Sequence, residues 1–271
     1  LGGKFFMNPG GKGANQAVAA ARLGGAVTFI AKTGDDIFGR QSLELLNAEG
    51  IDTSQIITDG ENPSGVALIT VNKDGENCIV VASGSNAALT VSDLSAVKEI
   101  IQHADIVLLQ LEIPVSTVEY VVGIAAAANV KVILNPAPAA ILPDHLLKQV
   151  DIITPNETEA EMLTGIAITN ESTAELAAKK LKAKGVDTVI ITMGAQGAML
   201  LHDDLCTIIP ATVVKAVDST AAGDVFNGAL AVALSENYSM NDAVHYACRS
   251  AAISVTRLGA QSSAPYKNEI I

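Results

Sequence analysis

Short apolar runs alternate with amphipathic stretches along most of this chain. Residues 15–23 are Ala-rich and stop at Gly24-Gly25, which predicts a helix with its C-terminal signal. Residues 27–31 predict a short strand, and residues 38–49 a helix stopped by Gly50. The texture then changes. Residues 65–71 and 76–82 flank Asn72-Lys73-Asp74-Gly75, a hairpin signal. Val66, Leu68 and either Ile79 or Val81 are expected on one apolar face of it. Two strands cannot bury a face alone, so the hairpin is expected to cover something or to meet a partner. Further on, Thr90 with Asp93 marks a helix start, running to His103. Strands are expected at 106–111, 132–134, 152–153 and 188–192, and helices from Pro114 to the Ala-rich 125–128, at 157–163 and at 173–184. Residues 198–201 and 206–209 predict an antiparallel pair at a sheet edge, and 222–235 and 240–256 two closing helices. This alternation predicts an α/β fold: a mostly parallel central sheet with helices on both faces, plus a small β lid.

Composition narrows the function. The 271 residues carry 17 Lys and Arg against 29 Asp and Glu, a net charge of −12, which argues against a duplex-binding basic face and leaves room for local phosphate pockets. No apolar run approaches the ~20 residues of a membrane span. Aromatics are 3 % and Trp is absent, so the core must rest on Ala, Val, Ile and Leu, as suits parallel strands covered by helices. Cys78, Cys206 and Cys248 are odd in number, far apart and without metal-ligand spacing, and so read as buried thiols of a reducing compartment. A cytoplasmic enzyme is expected. The chain opens at Leu1-Gly2-Gly3-Lys4 and ends at Glu269-Ile270-Ile271, which reads as a piece of a longer chain.

Five segments could carry chemistry. Gly10-Gly11-Lys12-Gly13-Ala14-Asn15 enters a helix and fits neither a Walker A loop nor a dinucleotide fingerprint. It is either a Gly-rich turn or a place where backbone approaches a small polar ligand, with Asn15 supplying an amide. Asp218-Ser219-Thr220-Ala221-Ala222-Gly223-Asp224 puts small residues at a helix N-terminus, where free N–H groups and the helix dipole favour an anion. Asp224 there either complements the dipole or takes a proton from an acceptor hydroxyl. Thr154-Pro155-Asn156-Glu157-Thr158-Glu159 follows a buried strand; Asn156 and Glu159 either cap a helix or organise a hydrated Mg²⁺. Thr192-Met193-Gly194-Ala195-Gln196-Gly197 admits a nucleotide or makes a hairpin, and Glu112 binds sugar hydroxyls or is a solvated loop charge.

Taken in this order, the segments resemble the ribokinase family, the PfkB carbohydrate kinases, over essentially the whole chain. The resemblance rests on the Gly10 to Asn15 and Asp218 to Asp224 signatures, with Asn135-Pro136-Ala137-Pro138, residues 154–161 and Gly259-Ala260-Gln261. It implies ATP-dependent phosphoryl transfer to the primary hydroxyl of a pentose, with D-ribose as the expected sugar. The alternatives are a family kinase for another sugar or a nucleoside, and a truncated relative that binds without catalysing. It also implies that Asp224 is the catalytic base, with the amides of Ala221, Ala222 and Gly223 as its anion hole. Gly11, Lys12, Gly13, Ala14, Asn15 and Glu112 match sugar-binding positions. Asn156, Thr192, Met193, Gly194, Ala195, Gln196, Gly197, Gly223, Asp224 and Cys248 match ATP contacts, and Glu159 the Mg²⁺-organising acid. An activating K⁺ would be held by the Asp218 side chain, the carbonyls of Thr220, Ser254, Arg257 and Gly259, and the Ser263 hydroxyl. Residues 1–61 and 83–271 would form the kinase body, and 62–82 with 1–9 the lid, through which a homodimer is expected. Ser219 stands where Thr is usual. Family members begin with a strand whose Asn-x-Asp motif clamps the sugar, and this chain is expected to lack it.

Overall fold

The computed structural model describes residues 7–71 and 77–270. Its centre is a six-stranded sheet made of β5 (Ile106–Leu109), β6 (Lys131–Leu134), β7 (Ile152–Ile153), β8 (Thr188–Thr192), β9 (Ala198–His202) and β10 (Leu205–Ile209). The strands run in the order β10-β9-β8-β7-β6-β5, parallel from β5 to β8 and antiparallel from β8 through β10. Among the described residues, β1 (Ala31–Gly34) and β2 (Ile56–Asp59) form a separate parallel pair, and β3 (Val66–Val71) and β4 (Asn77–Ala82) an antiparallel hairpin with its own sheet.

Side chains alternate across the central sheet, and both faces are covered. Val132, Leu134, Ile153, Val189 and Ile191 point into one core, under α4 (Val115–Ala127), α5 (Asp144–Leu147), α6 (Glu157–Thr164) and α7 (Glu171–Ala183). Ile133, Ile152, Ile190 and Leu200 point into the other, under α8 (Ala222–Ser235) and α9 (Met240–Ser254). Burial on both faces explains why these strands read as unbroken apolar runs rather than alternating ones. The remaining helices are α1 (Lys12–Arg22), α2 (Ile37–Ala48) and α3 (Lys98–Gln102). α1 lies on α8 at close range: a Cβ added to Gly228 would sit 2.6 Å from the Gln16 carbonyl oxygen. That crossing brings the Gly-rich turn before α1 to the N-terminus of α8.

Three expectations need correction, and one strand is additional. The first strand lies at Ala31–Gly34 rather than 27–31; only Thr28 pairs earlier, in a single bridge to Asp52. β2 was not anticipated, because Ile-Ile-Thr-Asp is too short to show a period and its partner is remote. Residues 91–97 form a 3₁₀-helix leading into α3, not one continuous α-helix, although the Thr90–Asp93 capping box is present. Val91, Ser92, Ser95 and Val97 are poor α-formers, consistent with the tighter winding. In the hairpin, Val66 and Leu68 pair with Ala82 and Val80, while Val81 pairs with Ala67 and Ile79 with Ile69. Val80, not Val81 or Ile79, therefore shares the face of Leu68, because the strand period is two. The Asn72 to Gly75 turn lies outside the described residues, as do residues 1–6 of the expected lid segment; residues 7–9 form no strand.

At the hairpin's stem, Asp36 caps α2 and accepts from the Ser64 amide (2.8 Å) and hydroxyl (2.7 Å), and Ser85 donates to the Pro63 carbonyl. Gly84 takes φ +51° here, and a Cβ on it would lie 2.2 Å from the Pro63 oxygen.

Candidate active site

The loop into α8 turns at Ala221, which adopts a left-handed conformation (φ 60°) as the helix N-cap. Asp218 fixes this loop: its carboxylate accepts from the Thr220 and Gly259 amides, each at 2.9 Å. The Ala222 amide donates to the Ser219 carbonyl at 3.2 Å, so of the expected anion-hole trio it is already engaged. Among the described residues the amides of Ala221, Gly223 and Asp224 have no protein acceptor, as expected for a helix start.

Asp224 follows in the first turn and is only 6 % exposed. Its Oδ2 accepts from Asn15 Nδ2 at 2.8 Å and its Oδ1 from Gln16 Nε2 at 3.0 Å. Burial pushes the carboxyl pKa up, while the Asn15 and Gln16 amides and the Lys12 charge pull it down. Asn15 Oδ1 is buried with no partner, an acceptor waiting for an O–H or N–H.

Glu112, just after β5, caps the Gly-rich turn by accepting from the Lys12 amide at 2.7 Å. Burial raises its pKa, and Asp224 adds to the rise. The chain must be small at this turn. Gly11 has φ +91°, and a Cβ on Gly13 would lie 3.1 Å from Gln110 Oε1 and 3.2 Å from the Phe29 ring. Ala14, half-buried, lies in the first turn of α1.

Asn156 and Glu159 form a reciprocal capping box at α6: Asn156 Oδ1 accepts from the Glu159 amide, and Glu159 Oε2 from the Asn156 amide. Glu159 is buried and its pKa rises, chiefly by desolvation, with Lys12 opposing and Asp224 reinforcing. Asn156 also bridges to Thr192 in parallel register, so the two nucleotide-expected segments lie side by side. The turn after β8 is tight. The Met193 amide donates to the Gly197 carbonyl, with Gly194, Ala195 and Gln196 between them in a 3₁₀ turn. Gly197 has φ +98°, and a Cβ on it would lie 2.0 Å from the Ile209 oxygen. Cys248 is packed among the apolar side chains of α8, α9 and β9, and desolvation pushes its thiol up to about 11.

Oxygen ligands are available for two cations. Glu159 commits only Oε2 to the capping box, and a single carboxylate suits Mg²⁺, which keeps several waters. No group of three or more His, Cys, Asp or Glu able to hold a metal occurs among the described residues. The second set lies behind the α8 loop. The Val217 and Asp218 amides donate to the Val255 carbonyl, tying this loop to the end of α9. The carbonyls of Thr220, Arg257 and Gly259 accept no hydrogen bond among the described residues, whereas that of Ser254 accepts from the Arg257 amide and the Ser263 hydroxyl donates to Ala260. Such a hard, neutral-rich oxygen set is compatible with a monovalent cation.

The structure thus joins Gly11 to Asn15, Glu112 and Asp224 into one cluster and Asn156 with Thr192 into a second. Lys12 and Asp224 act electrostatically on Glu159, beside Asn156. Sequence reasoning gave no individual role to Gln16, Asn135, Thr154, Asn227 or Gln110, although Thr154 and Asn135 lie in segments it singled out; together they form a largely buried network reaching Asp224. Their one signal is an amide or hydroxyl interrupting an apolar run.

Against known proteins, the family model described as pfkB family carbohydrate kinase matches residues 1–267. The chain is 48 % identical to the ribokinase of Haemophilus influenzae over 270 residues, covering all of this chain and 88 % of that one. It is 38 % identical to a deoxyribokinase of Salmonella typhi over 262 residues, covering 96 % of this chain and 86 % of the relative. Its structure superposes on that of Arabidopsis thaliana ribokinase complexed with ribose and ATP with a TM-score of 0.89 at 32 % identity, covering 96 % and 86 % of the two chains.

Proposed function

The chain belongs to the pfkB family of carbohydrate kinases, and from that premise we propose that it is a ribokinase, transferring the γ-phosphoryl group of ATP to the primary hydroxyl of D-ribose. It is a phosphotransferase with an alcohol group as acceptor. One observation carries the assignment: a buried carboxylate, Asp224, stands at a helix N-terminus where, among the described residues, the Ala221, Gly223 and Asp224 amides have no protein acceptor.

In this reading Asp224 accepts the proton of the sugar's primary hydroxyl as its oxygen bonds to the γ-phosphorus, and the bond to the ADP oxygen breaks. The Gly223 and Ala221 amides and the α8 dipole stabilise the charge on the transferring oxygens, while the Ala222 amide holds the turn in shape. Asn15 and Asp224 grip the sugar from one side and Glu112 from another. Asn15 Oδ1 accepts a sugar hydroxyl, which relieves its unpaired burial. Lys12, Gly11, Gly13 and Ala14 supply the close backbone around it. Asn156 and the Thr192 to Gly197 turn hold the nucleotide, with Cys248 lining its far side. Glu159 would hold a hydrated Mg²⁺ bound with ATP, which would offset phosphate charge. Asp218, Thr220, Ser254, Arg257, Gly259 and Ser263 would supply oxygen ligands to an activating K⁺, whose charge would favour the phosphate side of the α8 loop.

The β3–β4 hairpin is the lid and the surface of a homodimer: Leu68, Val80 and Val81 are all well exposed in the single chain. In this reading the enzyme works in the cytoplasm. None of the described helices is long and apolar enough to cross a membrane.

ADP release measured against D-ribose, 2-deoxy-D-ribose, other pentoses and nucleosides tests this function. D-ribose is expected to give the highest kcat/KM. A preference for 2-deoxy-D-ribose would reassign the substrate, and no sugar-dependent ADP would remove the kinase reading.

A further inference from the structure

Gln16 lies one residue past the Gly-rich turn and is 1 % exposed. Its Nε2 sits 3.0 Å from Asp224 Oδ1 and 3.0 Å from Asn135 Oδ1. We propose that Gln16 is the positioning residue of the catalytic base: locked in a single amide orientation by Asn135 and Gln110, it always presents an N–H to Asp224, fixing the plane of the carboxylate and keeping it ionised. The inference rests on Asp224 being that base.

The lock is dictated by atoms that cannot change role. The Thr154 carbonyl oxygen only accepts, so Asn135 turns Nδ2 to it at 3.1 Å and leaves Oδ1 for Gln16. Gln16 must then offer its NH₂ group to Asn135, and the second hydrogen of that group reaches Asp224. On the other side Gln110 Nε2 donates to Gln16 Oε1 at 2.5 Å, occupying the oxygen. Rotating the Gln16 amide by half a turn would set oxygen against oxygen at both Asn135 and Asp224, leaving buried acceptors unpaired. The network also returns to the base through the backbone. Thr154 Oγ1 donates to Asn227 Oδ1 at 2.6 Å, and Asn227 Nδ2 to the carbonyl of Gly223, the residue before Asp224. Thr154 and Asn227 are each 1 % exposed.

An amide N–H on a carboxylate favours its charged form, against the burial that opposes it. The charged groups acting with or on Asp224 are Lys12 on α1, Glu112 after β5 and Glu159 on α6. Glu112 and Glu159 carry negative charge near the base and give it no donor. Asn15 donates to the opposite carboxylate oxygen and is also expected to bind sugar, so only Gln16 is free of the substrate.

The test is the pH dependence of ribose phosphorylation. Gln16→Met keeps the chain length and removes the donor. It is expected to move the acid limb of kcat/KM to higher pH by about one unit, and at neutral pH to lower kcat more than it raises the ribose KM. Gln110→Leu, at a half-buried position, loosens the lock and is expected to move the limb the same way by less. A purely structural role would lower the melting temperature and leave the limb in place. If Gln16→Met folds and its limb coincides with that of the wild type, the proposal is overturned; if it does not fold, an unmoved limb in Gln110→Leu overturns it. A wild-type chain without transfer, or a fully active Asp224→Asn, would instead reject Asp224 as the base.

Discussion

Around Asp224 the residues Gln16, Asn135, Thr154 and Asn227 are buried and hydrogen-bonded to one another, and Asn15 and Gln16 hold both carboxylate oxygens. In the β3–β4 hairpin the opposite holds: Leu68 is 64 % exposed, Val80 60 % and Val81 63 %, on strands that, among the described residues, pair only with each other. The first region holds its geometry before any ligand arrives, because moving one amide would strand another. The second holds its backbone register but leaves apolar surface in water, so it is completed only by what it meets. Their junction is stiff: Asp36 grips Ser64, and Gly84 has no room for a side chain. With the hairpin as the proposed lid, the site pairs a finished floor with an unfinished cover, and the two should fail differently when altered.

The largest effect is expected on the floor. Asp224→Asn should lower kcat by roughly 10²–10⁴-fold with little change in ribose affinity, measured by steady-state kinetics and calorimetric binding. Its fold should survive. Burial raises the Asp224 pKa, so the ionised form destabilises the folded state, and that cost appears as pH rises above the ordinary carboxylate range. The neutral Asn removes it. Thermal stability of Asp224→Asn at neutral pH is expected to equal or exceed that of the wild type.

Withdrawing K⁺ comes next. Replacement by a large organic cation is expected to reduce turnover about tenfold, through the loop that Asp218 holds against Gly259. Unchanged rates would show that the floor is complete without a cation.

Leu68→Asp tests the cover. It should yield monomers in sedimentation and raise the ribose KM severalfold. Its melting temperature should lose the dependence on protein concentration that a dimer confers. An unaltered dimer would move the interface elsewhere.

The smallest effect is expected at the junction. The Gly39 amide and the Ser64 hydroxyl and amide hold the Asp36 pKa at about 2, below the ordinary 3.8. A lowered pKa means stabilisation present above 3.8 and lost as pH falls through about 2. Asp36→Ala should therefore cost about 1 kcal/mol in denaturant unfolding at neutral pH, as for a lost helix cap, and less with each step towards acid.

The same contrast governs what the sequence made legible. Strands such as 188–192 and helices such as 222–235 showed themselves because their apolar runs end at Gly, Pro or a cap. β2 did not, since four residues paired to a distant parallel partner have no local signature. The Gly-rich turn and Asp224 were legible because small residues at a helix start have few physical uses. Gln16, Asn135 and Asn227 were not, because an amide inside an apolar run looks solvent-facing until its partner from another element is known. The hairpin's existence was readable from Asn72 to Gly75, but its shared face was not: the register puts Val80 opposite Leu68.

The most direct test is to identify the product. Incubation of the protein with ATP, Mg²⁺, K⁺ and D-ribose, followed by ³¹P NMR, should show the γ-phosphate signal of ATP replaced by a phosphomonoester on the ribose primary hydroxyl. ATP that remains intact, or phosphate appearing on another hydroxyl, would contradict a base at Asp224 serving the primary alcohol of a pentose.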